Sequence, residues 1–432
     1  MKKHWSHVIA LMLAVCLCLG GMSLSAFAES GAVKAEIVIA RPEDSNNLDP
    51  VMQDGNVNIW IFNLVMEGLL QTTDDGTGIE PALAESYDVS DDGLTYTFHM
   101  KDGLVFSNGD PVLGEDLVWS YEYAMTSADS VWSDLLSGIK SVEAPDDKTF
   151  IAHMTEASPV SEPTFTLFNA TIGDKSYFDE VGPEGYAKKP IGTGAYKFDE
   201  WRQGEFLRVV KNDLYRDAAS VKTQAIKFTV VPDDNTRVMQ LQSGAVDMIT
   251  FVPWNRMSEL AADPNLKVET PASTEMRCLE LNCVNGPTAD PKVRKAIAMA
   301  LNKTALAKTV LFGYGSEADS FMSSSVVYYS KPETAKYDPE AAKALLAEAG
   351  YPDGLKIKLT TVAGNSNYET MATMAKEMLS QIGIDVTIEL LEAGTHNAKR
   401  KADIARQIGP VQRVEMQILD PFGDQPLAQL DA

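Results

Sequence analysis

The chain has 432 residues, of which 45% are hydrophobic and 23% are charged, and its formal net charge is −24. This composition predicts a packed globular protein of two or three domains. The excess of acidic residues, with no long basic run, argues against nucleic acids or anionic membrane surfaces as partners.

Residues 1–28 are typical of a Sec signal peptide. A polar start is followed by the apolar stretch Val8–Leu19, which is too short to cross a bilayer as a helix. Ala26-Phe27-Ala28 has the A-x-A pattern of a cleavage site. We therefore expect a mature protein that begins at Glu29 and is soluble outside the cytoplasm.

The first mature segment combines a short strand, a polar loop and an apolar helix. Ala35–Ala40 reads as a buried strand. The loop contains Leu48-Asp49-Pro50 and then Asp54-Gly55-Asn56, and residues 57–70 predict a buried helix that ends near Gly68.

A strand-rich segment follows, over residues 80–185. The turn residues Asp91-Asp92-Gly93 precede an alternation of apolar and polar residues over 94–99, which predicts a half-buried strand. We expect a single helix in this segment, at about 114–127.

The centre of the chain predicts a loop at 182–194, a hairpin over 195–211, and then a strand, a helix and a strand that end near Phe251. Gly192-Thr193-Gly194 is not followed by a helix, so we reject a dinucleotide-binding interpretation of its glycines.

After residues 277–282, the second half is predicted to be largely helical. Asp290-Pro291 and Asp338-Pro339 are typical helix starts. Residues 355–362 and 384–391 are predicted strands around a helix at about 368–382.

Two of the four cysteines, Cys16 and Cys18, leave with the signal peptide. Lipidation at Cys16 is an alternative that the bulky preceding residue, Val15, disfavours. Cys278 and Cys283 lie five residues apart, which in a strand places them on opposite faces and about 16 Å apart, too far for a disulfide. We expect two reduced, mostly buried thiols.

Several segments in a fixed order resemble the extracytoplasmic solute-binding proteins of ABC importers, family 5, the dipeptide-, oligopeptide- and nickel-binding type. They are PALAESYDVSDDGLTYTFHMKDGLVFSNGDP (81–111), PIGTGAYKFDEW (190–201), LQSGAVDM (241–248), LNCVNGPTADPKVRKAIAMALNKTALAKTVLFGYG (281–315) and YDPEAAKALLAEAGYPDG (337–354). The resemblance covers about residues 35–400.

The resemblance implies an α/β, two-lobed fold of the periplasmic-binding-protein type, with an extra β-rich subdomain in lobe I. The expected boundaries are the signal peptide at 1–28, the α/β part of lobe I at 29–79 and 186–274, the inserted subdomain at 80–185, a partial lobe II at 276–400, and a tail at 401–432. Met276–Leu281 would be the first hinge strand.

The resemblance also suggests ligand-binding residues. Asp54, Gly55 and Asn56 match a ligand-facing loop of the family, although an ordinary solvated turn explains them equally well. Trp132 falls where the family often places an aromatic residue over the ligand, and core packing is its alternative. Trp254 could line the cleft, and Asn282 is as readily a turn former as a ligand contact.

The implied function is capture of a small peptide outside the membrane and delivery to ABC permease subunits. We expect a monomer without cofactor, bound metal, nucleic-acid partner or enzymatic activity, since the three mature histidines are far apart and no nucleophile or metal motif occurs. The same fold could carry nickel chelate, haem, opine or oligosaccharide. A secreted carboxylate-based hydrolase and a sensory receptor domain are alternatives of other classes.

Similarity to the family ends near Ala398, and the remaining residues lack the aspartate- and aromatic-rich segment that the family has there. We therefore expect a truncated or frame-shifted gene, an incomplete second lobe, and a product that is unstable or binds poorly.

Overall fold

The computed structural model describes residues 34–52, 55–73, 78–131, 133–158, 161–270, 276–320, 322–324, 329–392, 395–396, 399 and 427–430. The signal peptide and most of the tail that the sequence predicts lie outside these residues. The described chain is mixed α/β, as predicted, and divides into two compact units. The first unit runs to Pro232 and includes 239–248, and the second contains 233–238 and the chain from Ile249 to Gln429.

The first unit contains ten strands and three α-helices among its described residues before Pro232. They are β1 (Glu36–Arg41), α1 (Asn56–Val65), β2 (Leu70–Thr72), β3 (Ile79–Pro81), β4 (Ala84–Val89), β5 (Thr95–Met100), α2 (Gly114–Thr126), β6 (Ile139–Asp146), β7 (Thr149–Met154), α3 (Lys175–Tyr186), β8 (Tyr196–Arg202), β9 (Phe206–Lys211) and β10 (Ala225–Val230).

These strands form two main arrays. In one, β1, β10, β9 and β8 lie side by side in that order, β1 being parallel to β10 and the other pairs antiparallel. In the other, β4, β5, β7 and β6 form an antiparallel sheet. The β-rich segment therefore lies in the long chain connection between β1 and β10.

The alternation predicted for β5 produces one buried face. Tyr96 and Phe98 are buried while His99 is exposed, because successive side chains of a strand point to opposite faces. The Phe98 ring lies 4.7 Å from that of Phe165 and 6.1 Å from that of Phe150, centroid to centroid. This aromatic cluster is the centre of the core of the β-rich segment.

Two elements lie at the sequence boundary between the units, α4 (Asp234–Gln242) and β11 (Met248–Ile249). The start of α4 follows from Asp233, whose carboxylate accepts the backbone N–H of Thr236 at 2.8 Å. The predicted strand at 246–251 is shorter than expected, because only the two residues of β11 pair.

The remaining elements follow in the second unit, except that the last residue of the final strand, Leu430, belongs to the first. They are α5 (Met257–Ala261), β12 (Leu266–Glu269), α6 (Pro291–Ala300), α7 (Lys303–Val310), α8 (Pro339–Glu348), β13 (Leu355–Val362), α9 (Ser366–Ser380), β14 (Ile384–Leu391) and β15 (Leu427–Leu430).

The Asp-Pro pairs of the sequence correctly predicted where two of these helices begin. Asp290 accepts the N–H of Lys292 at the start of α6, and Asp338 accepts the N–H of Ala341 at the start of α8, at 2.8 and 2.9 Å. β13 and β14 have the predicted bounds and pair in parallel, as expected for strands joined through a helix. These helices and strands share one hydrophobic core, which includes Val293, Ile297 and Leu379.

Four predictions of local structure were wrong. The β-rich segment contains a second helix, α3, besides α2, although a single helix was expected there. The loop expected at 182–194 begins later, because α3 continues to Tyr186 across a kink at Gly182, whose φ is 70°. Met276–Leu281, which the resemblance implies as the first hinge strand, form no strand. Cys278 and Cys283 form no disulfide, as expected, but both are half-buried rather than mostly buried, since that segment is not covered on both faces.

Candidate functional site

The loop before α1 contains three of the predicted ligand contacts. Asp54 lies outside the described residues, and Gly55 and Asn56 are half-buried at the start of the helix. Gly55 stands at the N-cap and has no side chain to cap this end, where its carbonyl accepts the N–H of Asn58 at 2.9 Å. Because the first turn contains no acidic residue, its positive dipole end suits a carbonyl or carboxylate of a ligand.

Trp132 also lies outside the described residues, whereas its neighbour Val131 is described. The N–H of Val131 donates to the carbonyl of Val51 at 3.2 Å. This bond joins the end of the loop at Leu48-Asp49-Pro50 to the segment that follows α2.

The Gly192-Thr193-Gly194 loop has a structural role. A Cβ on Gly192 would lie 2.3 Å from the carbonyl oxygen of Val65, and one on Gly194 would lie 2.4 Å from that of Leu64. The N–H of Gly194 donates to the Val65 carbonyl at 2.9 Å. The glycines therefore allow the loop to pack on the end of α1, and a strand follows them.

In the second unit, Trp254 stacks on an aromatic residue that the sequence did not single out. Its ring lies 5.9 Å from that of Tyr314 at an interplanar angle of 26°, and the Tyr314 hydroxyl lies 3.2 Å from Oγ of Ser258. Tyr314 is 42% exposed, so the pair presents an aromatic surface to solvent. In the sequence, only the position of Tyr314 just after the end of a predicted helix could have marked it as a candidate site residue.

Both aromatic residues follow strained backbone. Phe251 has a φ of 56° and Phe312 a φ of 50°, and these are the non-glycine residues with positive φ in the described chain. The Phe251 carbonyl accepts a guanidinium N–H of Arg237 at 3.3 Å, and Arg237 is buried. Strain of this kind persists only where surrounding contacts hold it, and it concentrates at binding sites.

Asn282 serves as a turn former. Its side-chain oxygen accepts the N–H groups of Val284 and Asn285 at 2.9 and 2.8 Å, and its carbonyl accepts the hydroxyl of Thr288 at 2.7 Å. These contacts favour the turn-forming alternative, and a ligand contact stays a prediction.

A buried polar group near the first loop was missed by the sequence analysis. Asp49 is fully buried, and its carboxylate accepts the N–H of Val51 at 2.9 Å and the hydroxyl of Tyr123 at 2.7 Å. Desolvation by burial raises the pKa of Asp49 above its usual value. Within Leu48-Asp49-Pro50 this aspartate looked like an ordinary turn residue.

The two histidines of the β-rich segment each pair with a carboxylate at the surface. His99 lies 2.9 Å from Asp88 and His153 lies 3.2 Å from Glu143, and all four side chains are exposed. In the described part of the chain, no group of three or more His, Cys, Asp and Glu side chains is placed to hold a metal ion. No described helix has the length and apolar character needed to cross a membrane.

Known proteins resemble this chain over most of its length. The glutathione-binding protein GsiB of Escherichia coli O1:K1 is 29% identical over 404 residues, which cover 92% of this chain and 75% of the relative. The periplasmic binding protein DppA of Helicobacter pylori, solved with the peptide STSA, is 29% identical with a TM-score of 0.75, over 84% of this chain and 75% of that one. AgaA of A. tumefaciens R10, solved with agropinic acid, is 28% identical with a TM-score of 0.74, over 86% and 75%.

Residues 78–409 match the family described as bacterial extracellular solute-binding proteins, family 5. The match contains the aromatic core of β5 and β7, the glycine loop on α1, the Trp254–Tyr314 pair and the capped helices α6 and α8. It also extends a few residues past Ala398, where the sequence analysis placed its end. The chain is therefore a member of the family 5 bacterial extracellular solute-binding proteins.

Proposed function

We propose that this protein captures small peptides outside the cytoplasm and delivers them to the permease subunits of an ABC importer. The observation that carries the proposal is family membership over residues 78–409, joined to relatives that bind glutathione and the peptide STSA. Glutathione is itself a peptide-like molecule, so two relatives of similar identity share one class of ligand.

The described residues offer the groups that such a ligand needs. Peptides are held largely through their own backbone, and aromatic surfaces accommodate variable side chains. The start of α1 at Gly55 and Asn56 provides N–H donors, and Trp254 with Tyr314 provides an aromatic surface. Asp54, Trp132 and Asn282 remain proposed contacts.

Binding can be tested on the full chain expressed with its own signal sequence. Native mass spectrometry of the secreted product should detect a co-purified peptide, and isothermal titration calorimetry should detect saturable binding of di- to tetrapeptides or glutathione. A panel of these peptides that gives no heat with folded protein would contradict the proposal.

An opine is the second candidate ligand, because the relative AgaA was solved with agropinic acid at nearly the same identity. Adding agropinic acid to the same titration distinguishes the two. If only the opine gives saturable binding, the cargo is an opine and not a peptide.

We propose further that the ligand leaves chemically unchanged, that the protein acts as a monomer without nucleic-acid partners, and that residues 1–28 are removed on export. Recovery of intact peptide after prolonged incubation tests the first point, since a secreted hydrolase would release fragments. Mass measurement of the exported chain tests cleavage before Glu29, and a lipid-sized mass increase would indicate acylation instead.

A further inference from the structure

The sequence contains two Asn-Gly pairs, and the structure constrains them differently. They are Asn108-Gly109, between β5 and α2 in the first unit, and Asn285-Gly286, in the turn before α6 in the second. An asparagine side chain is readily attacked by the backbone nitrogen that follows it when the next residue is glycine, because glycine has no Cβ to hinder the approach. In a folded protein the attack also requires that both reacting groups are free.

The first pair is held at both reacting groups. The amide nitrogen of Asn108 donates to the carboxylates of Asp110 and Asp174 at 2.6 and 2.8 Å, and its side-chain oxygen accepts the N–H of Asp110 at 3.1 Å. The N–H of Gly109, which would be the attacking group, donates to the Phe106 carbonyl at 2.9 Å. Reaction at Asn108 would therefore require that several hydrogen bonds break together.

The second pair has none of these restraints. The Asn285 side chain is exposed and forms no hydrogen bond with the described part of the chain, and the N–H of Gly286 has no acceptor among the same residues. Gly286 has a φ of 76°, and a Cβ added there would meet no described atom within 4 Å. Both reacting groups are therefore accessible to each other and to water.

The turn that contains this pair is held by contacts that use neither reacting group. The side-chain oxygen of Asn282 accepts the backbone N–H of Asn285 at 2.8 Å, and the Asn282 carbonyl accepts the Thr288 hydroxyl at 2.7 Å. Arg294 of α6 donates to the carbonyls of Thr288 and Ala289 at 2.9 and 2.8 Å. The exposure of the Asn285 side chain is thus a property of the folded turn.

We propose that Asn285 is a site of spontaneous deamidation in the folded protein, and that the fold protects Asn108 from the same reaction.

The reaction is intramolecular and consumes one water molecule. The Gly286 nitrogen loses its proton to base and attacks Cγ of Asn285. A bond forms between these two atoms, the bond from Cγ to the side-chain nitrogen breaks, and ammonia leaves a cyclic succinimide behind. Water then opens the ring at either carbonyl, which gives aspartate or isoaspartate. The chain loses an amide and gains one negative charge.

Peptide mapping of the full chain tests the proposal without any substitution. The folded protein is incubated at mildly alkaline pH and digested with trypsin at intervals. The peptide of residues 278–292 should gain about 1 Da and separate into aspartate and isoaspartate forms, and fragmentation should place the change at Asn285 rather than Asn282. The peptide that contains Asn108 should keep its mass.

A parallel incubation in urea separates the effect of the fold from that of the sequence. In the unfolded chain the hydrogen bonds of Asn108 are lost, so both peptides should gain the mass. The inference is wrong if the folded protein leaves Asn285 intact over the time in which it reacts in urea. It is also wrong if Asn108 reacts as fast as Asn285 in the folded chain.

A substitution at the site provides an independent test on the intact protein. Anion-exchange chromatography should show a more acidic form that accumulates during the incubation. Asn285→Gln should abolish this form, because glutamine would have to close a larger and less favourable ring. Asn235→Gln, at another exposed asparagine of the second unit that threonine follows, should leave its accumulation unchanged. An acidic form that persists at the same rate in Asn285→Gln would place the reaction elsewhere and contradict the proposal.

Discussion

At the scale of single residues, burial sets the protonation of Asp116. Its side chain is buried at the start of α2, where it accepts the N–H groups of Leu113 and Lys175, both at 2.9 Å. Desolvation, reinforced by the charges of Asp174 and Glu115, raises the pKa of Asp116 to about 6 despite these bonds.

The raised pKa of Asp116 determines in which direction stability changes with pH. An unfolded aspartate ionises near pH 4, so between about pH 4 and 6 the native state binds a proton that the unfolded state does not. The contribution of Asp116 to stability therefore falls as the pH rises through this window. Asp116→Asn should remove this contribution, so the urea midpoint of the variant should fall less between pH 4.5 and 7 than that of the unmodified protein. The exposed Asp213→Asn is the control, and parallel pH profiles for all three proteins would show that Asp116 ionises normally.

At the scale of elements, the Gly192-Thr193-Gly194 loop packs directly against the end of α1. A methyl group on Gly192 meets the backbone of α1, which cannot rotate away as a side chain would. We expect Gly192→Ala to destabilise the first unit by about 1–3 kcal/mol or more. Gly138→Ala is the matched control, because its Cβ would meet only the Met154 methyl group at 3.8 Å. Chemical denaturation that gives equal losses for both variants would contradict the close approach.

Helix α8 offers a second test at the same scale. Asp338 accepts the N–H of Ala341 and lies at an exposed end, so Asp338→Ala should cost about 1 kcal/mol of unfolding free energy. Asp338→Asn retains the accepting oxygen and should cost only a few tenths. A similar loss in both variants would mean that charge at the helix dipole, rather than the hydrogen bond, stabilises this end.

At the scale of the whole molecule, each unit has its own hydrophobic core among the described residues, and the proposed ligand contacts occur in both units. Trp254→Ala removes one ring of the stacked Trp254–Tyr314 pair, and Trp254 is not part of the core of the second unit. If peptide binds as proposed, we expect this variant to bind about tenfold more weakly or worse, since buried aromatic contacts often contribute more than 1.4 kcal/mol to affinity.

Calorimetry on folded variants measures this effect. Tyr337→Ala, which truncates another exposed aromatic residue of the same unit, should leave the dissociation constant unchanged. Equal weakening by both variants would indicate a general effect on the unit, whereas no weakening by Trp254→Ala would remove Trp254 from the site while leaving peptide capture intact.

The sequence by itself determined the features whose causes lie within a few residues. The helix starts at Asp290 and Asp338 depend on a side chain that bonds a backbone N–H two or three positions ahead, and the buried face of β5 depends on alternation alone. The order of the family-like segments was sufficient to predict the family and the α/β class.

Tertiary structure decided what depends on distant parts of the chain. Asp49 could have been a solvated turn residue, and it is buried only because Tyr123 and the loop at Gly173 close over it. Tyr314 stacks on Trp254, sixty positions away in sequence, and Met276–Leu281 do not form the hinge strand that the resemblance implies. Burial, stacking and strand pairing depend on contacts between residues that are remote in sequence, so only the tertiary structure decides them. Helix caps and the alternation of a strand depend on neighbouring residues, so the sequence alone specifies them.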